Sequence, residues 1–302
     1  MLKKKPTMVA PNDAGKLNGR DRTTLVLMAA VPMLIVGGLI WIPALITVAL
    51  SFTSWDGIGG VADAKFIGLQ NYVDAMTIYP AFWPAIWHNV VWLLGLFLVF
   101  TPFGMFLAVL LDKELRGTKF YQTAYYLPVV LSAALIGFIW QLMYSRDQGF
   151  INAVLGTTID WYGDPSINLY AAIVANGWRH TGYIMLLYLA GLKGIDAELR
   201  EAAALDGATE TQTFFQIIFP AMRTTNVLLL VITFIEGLRA FDIVWIINRG
   251  RNGLELISTL VTQNVAGEAS RIGFGSALAT IMLLMSSIFI LVQVRLQVKG
   301  DE

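Results

Sequence analysis

Three runs of more than twenty residues, 25–50, 90–111 and 274–294, contain no charged side chain. A bilayer core about 30 Å thick is crossed by roughly 20 helical residues, and within lipid a spanning segment must satisfy its own backbone hydrogen bonds. Each run therefore reads as a transmembrane helix. A fourth uncharged run covers 123–143. Two more, 169–192 and 227–247, have the length but carry Arg179 with His180, and Glu236, Arg239 and Asp242. The expectation is an all-α membrane protein with six transmembrane helices. Pro32, Pro43 and Pro102 lie inside these runs, where neighbouring helices and water can satisfy the freed carbonyls.

Basic residues set the orientation. One set of alternate segments collects fourteen: Lys3, Lys4, Lys5, Lys16, Arg20 and Arg22, then Lys113, Arg116 and Lys119, then Lys193, Arg200 and Arg223, and finally Arg295 and Lys299. The other has five, Lys65, Arg146, Arg249, Arg251 and Arg271. Both termini are therefore expected in the cytoplasm, with Arg249, Arg251 and Arg271 running against the trend. Trp55, Tyr72, Tyr79, Trp83 and Trp87 cluster before the second run as an interfacial belt. The organisation expected is a cytoplasmic tail over 1–23, a transmembrane domain over 24–296 and a second tail over 297–302. No inverted pair of broken spans is expected.

Other classes drop out on composition. With 56% hydrophobic and 14% charged residues the chain lies far from a water-soluble domain. The first apolar run is too long for a signal-peptide core and no cleavage site follows promptly. Net charge is zero and no basic groove with interleaved aromatics is apparent, so nucleic acid is not an expected partner. There is no cysteine, and His88 and His180 stand in no metal-ligand spacing. No metal, catalytic residue or bound cofactor is expected.

The segment between the fourth and fifth runs, 196–220, has legible local physics. Asp196 can cap a short helix reaching Leu205, Gly207 can take the left-handed turn that ends it, and Thr209 with Gln212 can form a capping box for a second. Pro220 is expected to stop that second helix. The pair exposes small alanines and carries Phe214, Phe215, Ile217 and Ile218, too apolar for a solvated loop, so the surface calls for a partner.

Glu201-Ala202-Ala203, then Gly207, Ala208 and an apolar helix ending in Pro220, resembles the coupling loop of binding-protein-dependent ABC importer permeases. Phe66-Ile67-Gly68-Leu69-Gln70-Asn71-Tyr72, Tyr126-Leu127-Pro128 and Leu189-Ala190-Gly191-Leu192 resemble the carbohydrate-uptake branch, of maltose and glycerol-phosphate type. The resemblance extends over nearly the whole chain from Leu25. It implies a type I ABC importer permease fold in a bacterial plasma (inner) membrane and a loop inserted in a cleft of an ATPase subunit. The implied partners are a second homologous permease, two ATP-binding subunits holding ATP and magnesium, and an external solute-binding protein. The chain departs from the family after Phe241-Asp242, reading Asn248-Arg249-Gly250-Arg251-Asn252 where Thr-x-Gly-Gly-Pro is frequent. There is no G-x-x-x-x-G-K-[ST], so the chain is not expected to be an ATPase.

Candidate coupling residues are Glu201, Ala202, Ala203, Asp206, Gly207, Ala208 and Pro220; the alternative is a solvated, well-capped helix face. Candidate solute-path residues are Asn176, Trp178, Arg179, Tyr183, Glu236, Arg239 and Asp242. The fourteen Leu, Ile, Val and Phe residues of 227–247 favour insertion by roughly 6 kcal/mol, against roughly 5 to 10 kcal/mol for its three charges. Those charges must pair or line a wet cavity, as a path for hydroxyl-bearing solutes or as a ladder between helices. Trp178 and Tyr183 suit stacking on sugar faces, or interfacial anchoring. Lys113, Arg116 and Lys119 need be no more than headgroup contacts. The contrasting reading is an ion- or proton-coupled transporter or channel using Glu236, Asp242 and His180, which leaves the exposed loop without a purpose. An intramembrane enzyme lacks a nucleophile or metal site.

Overall fold

The computed structural model describes residues 19–113, 116–267 and 270–298. Lys3, Lys4, Lys5, Lys16 and Lys299, which weigh in the orientation count, lie outside them. The chain divides into two units, 1–49 and 50–302. In the first, α1 (Gly19–Val36), a π-turn (Gly37–Trp41) and α2 (Ile42–Leu50) make one continuous apolar helix.

In the second unit α3 (Gln70–Thr77) leads to a long helix made of α4 (Phe82–Gly95), a π-turn (Leu96–Phe100) and α5 (Thr101–Asp112). There follow α6 (Thr118–Val130), α7 (Ala133–Met143), α8 (Phe150–Leu155) and α9 (Asn168–Lys193). Next come α10 (Ala197–Leu205), α11 (Glu210–Gln212), a π-turn (Thr213–Ile218) and α12 (Phe219–Ala221). The chain closes with α13 (Arg223–Leu238), α14 (Asp242–Asn248), α15 (Ile257–Val265) and α16 (Ile272–Val298).

Among the described residues three helices are long and apolar enough to cross a membrane, Asp21–Leu50, Phe82–Asp112 and Ile272–Arg295, with α6 and α7 a fourth if taken as one bent crossing. Six uninterrupted spans are not found among the described residues. The run 123–143 bends by 102° between α6 and α7, because Leu131 and Ser132 are extended and the Ser132 hydroxyl accepts from the Leu135 N–H at 3.2 Å, opening a new helix. The run 227–247 breaks between α13 and α14 at Arg239, Ala240 and Phe241. Two of the expected spans are thus broken among the described residues. Arg239 sits at the carboxyl end of α13 and Asp242 in the first turn of α14, so each charge lies at the helix end whose dipole favours it. The run 169–192 lies within α9, a single helix of 26 residues that carries Asn176, Arg179 and His180.

Among the described residues there are three π-turns, and each ends two residues before a proline. The Ile42 N–H reaches the Gly37 carbonyl before Pro43, that of Thr101 reaches Leu96 before Pro102, and that of Phe219 reaches Phe214 before Pro220. Proline cannot donate and its ring crowds the carbonyl one turn back. A wider turn relieves that crowding without breaking the helix.

Glycines set the packing of the second unit. The α4–α5 helix runs parallel to α9: a methyl on Gly95 would lie 2.8 Å from Ile173, one on Gly177 would run into the Phe100 ring, and one on Gly104 would lie 2.8 Å from the Thr181 carbonyl. Helices in lipid associate largely through such close fitting, since lipid tails are as apolar as the side chains they replace. α13 runs antiparallel to both, with Gly191 against Met222 and Thr225 at one end, and with Gly237 against Leu93 and Leu96 towards the other. Near the middle, where α5, α9 and α13 meet, His180 Nε2 lies 3.1 Å from the Thr101 hydroxyl and 3.4 Å from that of Thr233, all three side chains buried.

The ends of α5 and α9 and the start of α13 therefore share one end of the unit. At the opposite end the connecting segments are tied together. Asn168 donates to the Asn252 carbonyl at 2.6 Å, Asn252 donates to that of Gly163 at 2.9 Å, and the Ile257 N–H donates to Asn89 Oδ1 at 2.9 Å. Buried Asn152 donates to the carbonyls of Arg146 and Ile159 and accepts from Thr157 and Trp161.

Candidate functional site

The interruption between α13 and α14 opens a cavity of about 250 Å³ whose wall includes Asn176 and Arg179 from α9 and Glu236, Arg239 and Asp242 around the break. Arg179 Nη2 donates to Glu236 Oε2 at 3.0 Å, with both side chains partly exposed. Unwound backbone is tolerated at membrane depth where it lines such a polar space.

Five of the seven expected path residues thus come together, and two do not. Trp178 turns to another face of α9, edge-on to Trp140 at 6.0 Å, and lines a separate, largely apolar cavity of about 260 Å³ with Phe100, Phe103, Tyr125 and Thr181. Tyr183 is half-buried and lines neither. His180, which the ion-coupled reading needs beside Glu236 and Asp242, is instead packed against Thr101 and Thr233. Thr101 and Thr233 were not singled out from sequence, where two threonines in apolar runs carry no signal of a shared partner.

The second site is the hairpin 196–220. The Asp196 side chain accepts from the Glu198 N–H at 3.1 Å, as expected of a cap. Gly207 has φ +77°. The Ala208 N–H then bonds the Ala203 carbonyl at 3.0 Å and the Gly207 N–H that of Ala204 at 3.1 Å, closing α10 with paired carbonyls. Thr209 and Gln212 form the reciprocal box, the Thr209 N–H donating to Gln212 Oε1 at 2.8 Å. Pro220 does not stop the second helix: the preceding wide turn carries the helix past it to Ala221, and the chain turns at Met222.

One side of this hairpin is inside the protein. Ala203, Ile218 and Met222 are buried, the last two among Leu107, Leu111, Ile184, Tyr188 and Leu192. The other side is bare: Leu205 is 89% exposed and Phe215 62%, alongside exposed Glu201, Ala202 and Asp206.

Sequence reasoning missed how the hairpin is held. Lys113, expected only at headgroups, bonds Glu210. Its hydrogen bond, with its positive charge, holds the Glu210 carboxyl below the usual range. Asp112, with its side chain 7% exposed, takes Arg200 Nη1 at 2.6 Å and Lys193 Nζ at 3.4 Å.

Comparison with known proteins places the chain in a family. Residues 22–299 match the family described as binding-protein-dependent transport system inner membrane component. A probable ABC transporter permease of Pyrococcus horikoshii is 30% identical over 93% of this chain and 98% of its own. The xylose/arabinose import permease XacH of Haloferax volcanii is 35% identical over 79% of this chain and 76% of its own. Among solved structures, a chain of a bacterial ABC transporter involved in import of the acidic polysaccharide alginate superposes with a TM-score of 0.79. At 20% identity over 93% of this chain and 97% of that one, it is a likeness of fold. With the family matched over 22–299, the chain belongs to the binding-protein-dependent transport system inner membrane component family.

Proposed function

We propose that the chain is the permease subunit of an ATP-driven ABC importer that moves a sugar, oligosaccharide or polyol delivered by an external solute-binding protein. The observation that carries this reading is one of connectivity. α9 and α13, which supply Arg179 and Glu236 to the polar cavity, are joined to each other by the exposed hairpin 196–220. A push on the hairpin therefore acts directly on the two helices that shape the cavity.

In the proposed cycle a second, homologous permease completes the path and two ATP-binding subunits hold ATP and magnesium. ATP binding draws those subunits together, and the hairpin, through Glu201, Ala202, Ala203, Asp206, Gly207 and Ala208, passes the movement to α9 and α13. The membrane portion alternates between outward- and inward-open states whose balance the nucleotide shifts. The reading counts six crossings, the bent α6–α7 pair, α9 and broken α13–α14 among them, with both termini cytoplasmic in a bacterial plasma membrane. Asn176, Arg179, Glu236, Arg239 and Asp242 offer donors and acceptors suited to hydroxyl groups. The sugar class draws support from relatives such as the xylose/arabinose permease.

The test is uptake of labelled xylose and maltotriose into proteoliposomes holding the whole complex, with ATP hydrolysis measured alongside, for wild type and Glu201→Ala. Uptake that needs ATP and falls in Glu201→Ala, while the binding protein still delivers solute, is the expected result. Uptake that persists without ATP and collapses with the proton gradient overturns the energy source.

A further inference from the structure

Asp112 is placed where a carboxylate does its own helix no service. It is the last residue of α5, where the helix dipole disfavours negative charge, and its side chain is nearly buried, which adds a desolvation cost. Both penalties are offset from outside α5. Arg200, in the middle of α10, and Lys193, the last residue of α9, converge on the two carboxylate oxygens at 2.6 Å and 3.4 Å. The next residue, Lys113, reaches the opposite limb of the hairpin at Glu210. Two consecutive residues at the end of α5 thus grip α10 on one side of the Gly207 turn and α11 on the other. Below them Leu107, Ala108 and Leu111 pack with Ile184, Tyr188 and Ile218, so the grip continues into a packed core.

Resting on the coupling reading above, we infer that Asp112 is a positioning residue that binds the hairpin to α5 and α9 so that the three move as one body. The carboxylate touches neither the polar cavity nor the bare face of Leu205 and Phe215; it acts through Arg200 and Lys193. Without it, motion imposed at the hairpin is taken up by flexing at the α9–α10 joint, where only Gly194, Ile195 and Asp196 intervene. With it, the same motion reaches Gly104 and Thr181 through the parallel α5–α9 pair.

Because the chain has no cysteine, two introduced thiols can be labelled selectively within it. Glu198→Cys on the exposed start of α10 and Phe106→Cys on α5 carry spin labels in the reconstituted complex. Their separation is measured by pulsed electron resonance without nucleotide and with ATP, magnesium and vanadate. The expected result is one narrow distance in both states for the otherwise native chain. In Asp112→Asn or Arg200→Gln that peak broadens or moves when nucleotide is added, and the exchange Asp112→Arg with Arg200→Asp restores it. Arg200→Gln tests the same bond from the hairpin side should Asp112→Asn fail to assemble. A distribution unchanged in both single variants overturns the inference. Leu205→Asp, read by loss of co-purifying ATPase subunits, tests the coupling reading separately. If it still assembles and hydrolyses ATP with normal uptake, that reading fails, whereas normal distances in the Asp112 and Arg200 variants remove only the positioning role.

Discussion

Arg179 and Glu236, 57 positions apart in sequence, meet at 3.0 Å across the wall of the polar cavity and join α9 to α13 beside the break at Arg239. The pair is open to the cavity, with side-chain exposures of 31% and 46%. An ion pair so exposed contributes little to stability, at most about 1 kcal/mol. A double-mutant cycle of Arg179→Gln and Glu236→Gln on thermal unfolding should return no more than that, while uptake in the complex falls by a larger factor. A cycle of several kcal/mol with uptake intact would favour the ladder between helices over the path.

Gly104 faces backbone rather than a yielding side chain. In Gly104→Ala the new methyl meets the Thr181 carbonyl at 2.8 Å and Ile184 Cβ at 2.9 Å, so α5 and α9 must separate. A loss of about 1–3 kcal/mol is expected in chemical unfolding followed by circular dichroism. An unchanged midpoint would mean that the two helices do not lie as close as Gly104 requires.

The turn at Gly207 fails for a different reason. Nothing lies within 4 Å of a methyl there, yet φ is +77°. Gly207→Ala should cost roughly 1–2 kcal/mol through the backbone alone, and Gly207→Asn distinctly less, since asparagine tolerates this conformation. Equal losses for both would point to a clash with a partner instead.

Glu210 gives a pH signature. Its carboxyl titrates below the ordinary glutamate range because Lys113 hydrogen-bonds and attracts its charged form. A depressed folded-state value means that this link is complete above the unfolded glutamate value, near pH 4, and is lost as the pH falls through the lower folded value. Infrared titration should show the carboxylate band assigned by Glu210→Gln persisting to a lower pH in wild type than in Lys113→Gln. Coincident titrations would show that the bond does not form in the membrane.

Asn152 ties several loop groups together at the end away from the hairpin. Asn152→Ala strands the carbonyls of Arg146 and Ile159 and the donors of Thr157 and Trp161. The loss of these part-buried hydrogen bonds, about 0.5–1.5 kcal/mol each, is expected, seen as faster hydrogen exchange over 145–161. Unaltered exchange there would mean that water replaces the asparagine without loss.

Features fixed by near neighbours were legible in the sequence. The Asp196 cap, the Gly207 turn and the Thr209–Gln212 box each depend on residues at most a few positions apart, and each forms as read. Asn176 and Arg179 share a helical face, whereas Trp178 lies between them in sequence and so points elsewhere, a distinction their spacing already contained. Tyr183 keeps that face but sits farther along α9, beyond the cavity. The helix breaks were harder to see, because a hydropathy run records apolarity, and extended Leu131 and Ser132 are as compatible with an apolar run as a helix is. Ser132, three residues before the Leu135 N–H that it caps, was the available signal. Arg239 and Asp242 were read as paired or wet charges when they also mark two helix ends. Asp112 was illegible for a simpler reason: Lys193 and Arg200 lie more than eighty positions away, and nothing local announces them.

The wide turns before Pro43, Pro102 and Pro220 alter how this chain should be set beside its relatives. Each is an ordinary helix holding one surplus residue, and one residue rotates everything beyond it by about 100°. In the α4–α5 helix, Trp92 before the wide turn and Leu96 at its start pack with α14 and the connecting segment after it, while Leu107 and Leu111 beyond it pack towards the hairpin. Any relative lacking the proline would need a single-residue gap in the middle of a membrane-embedded stretch to stay in phase. An alignment drawn without that gap would match every later position to the wrong face.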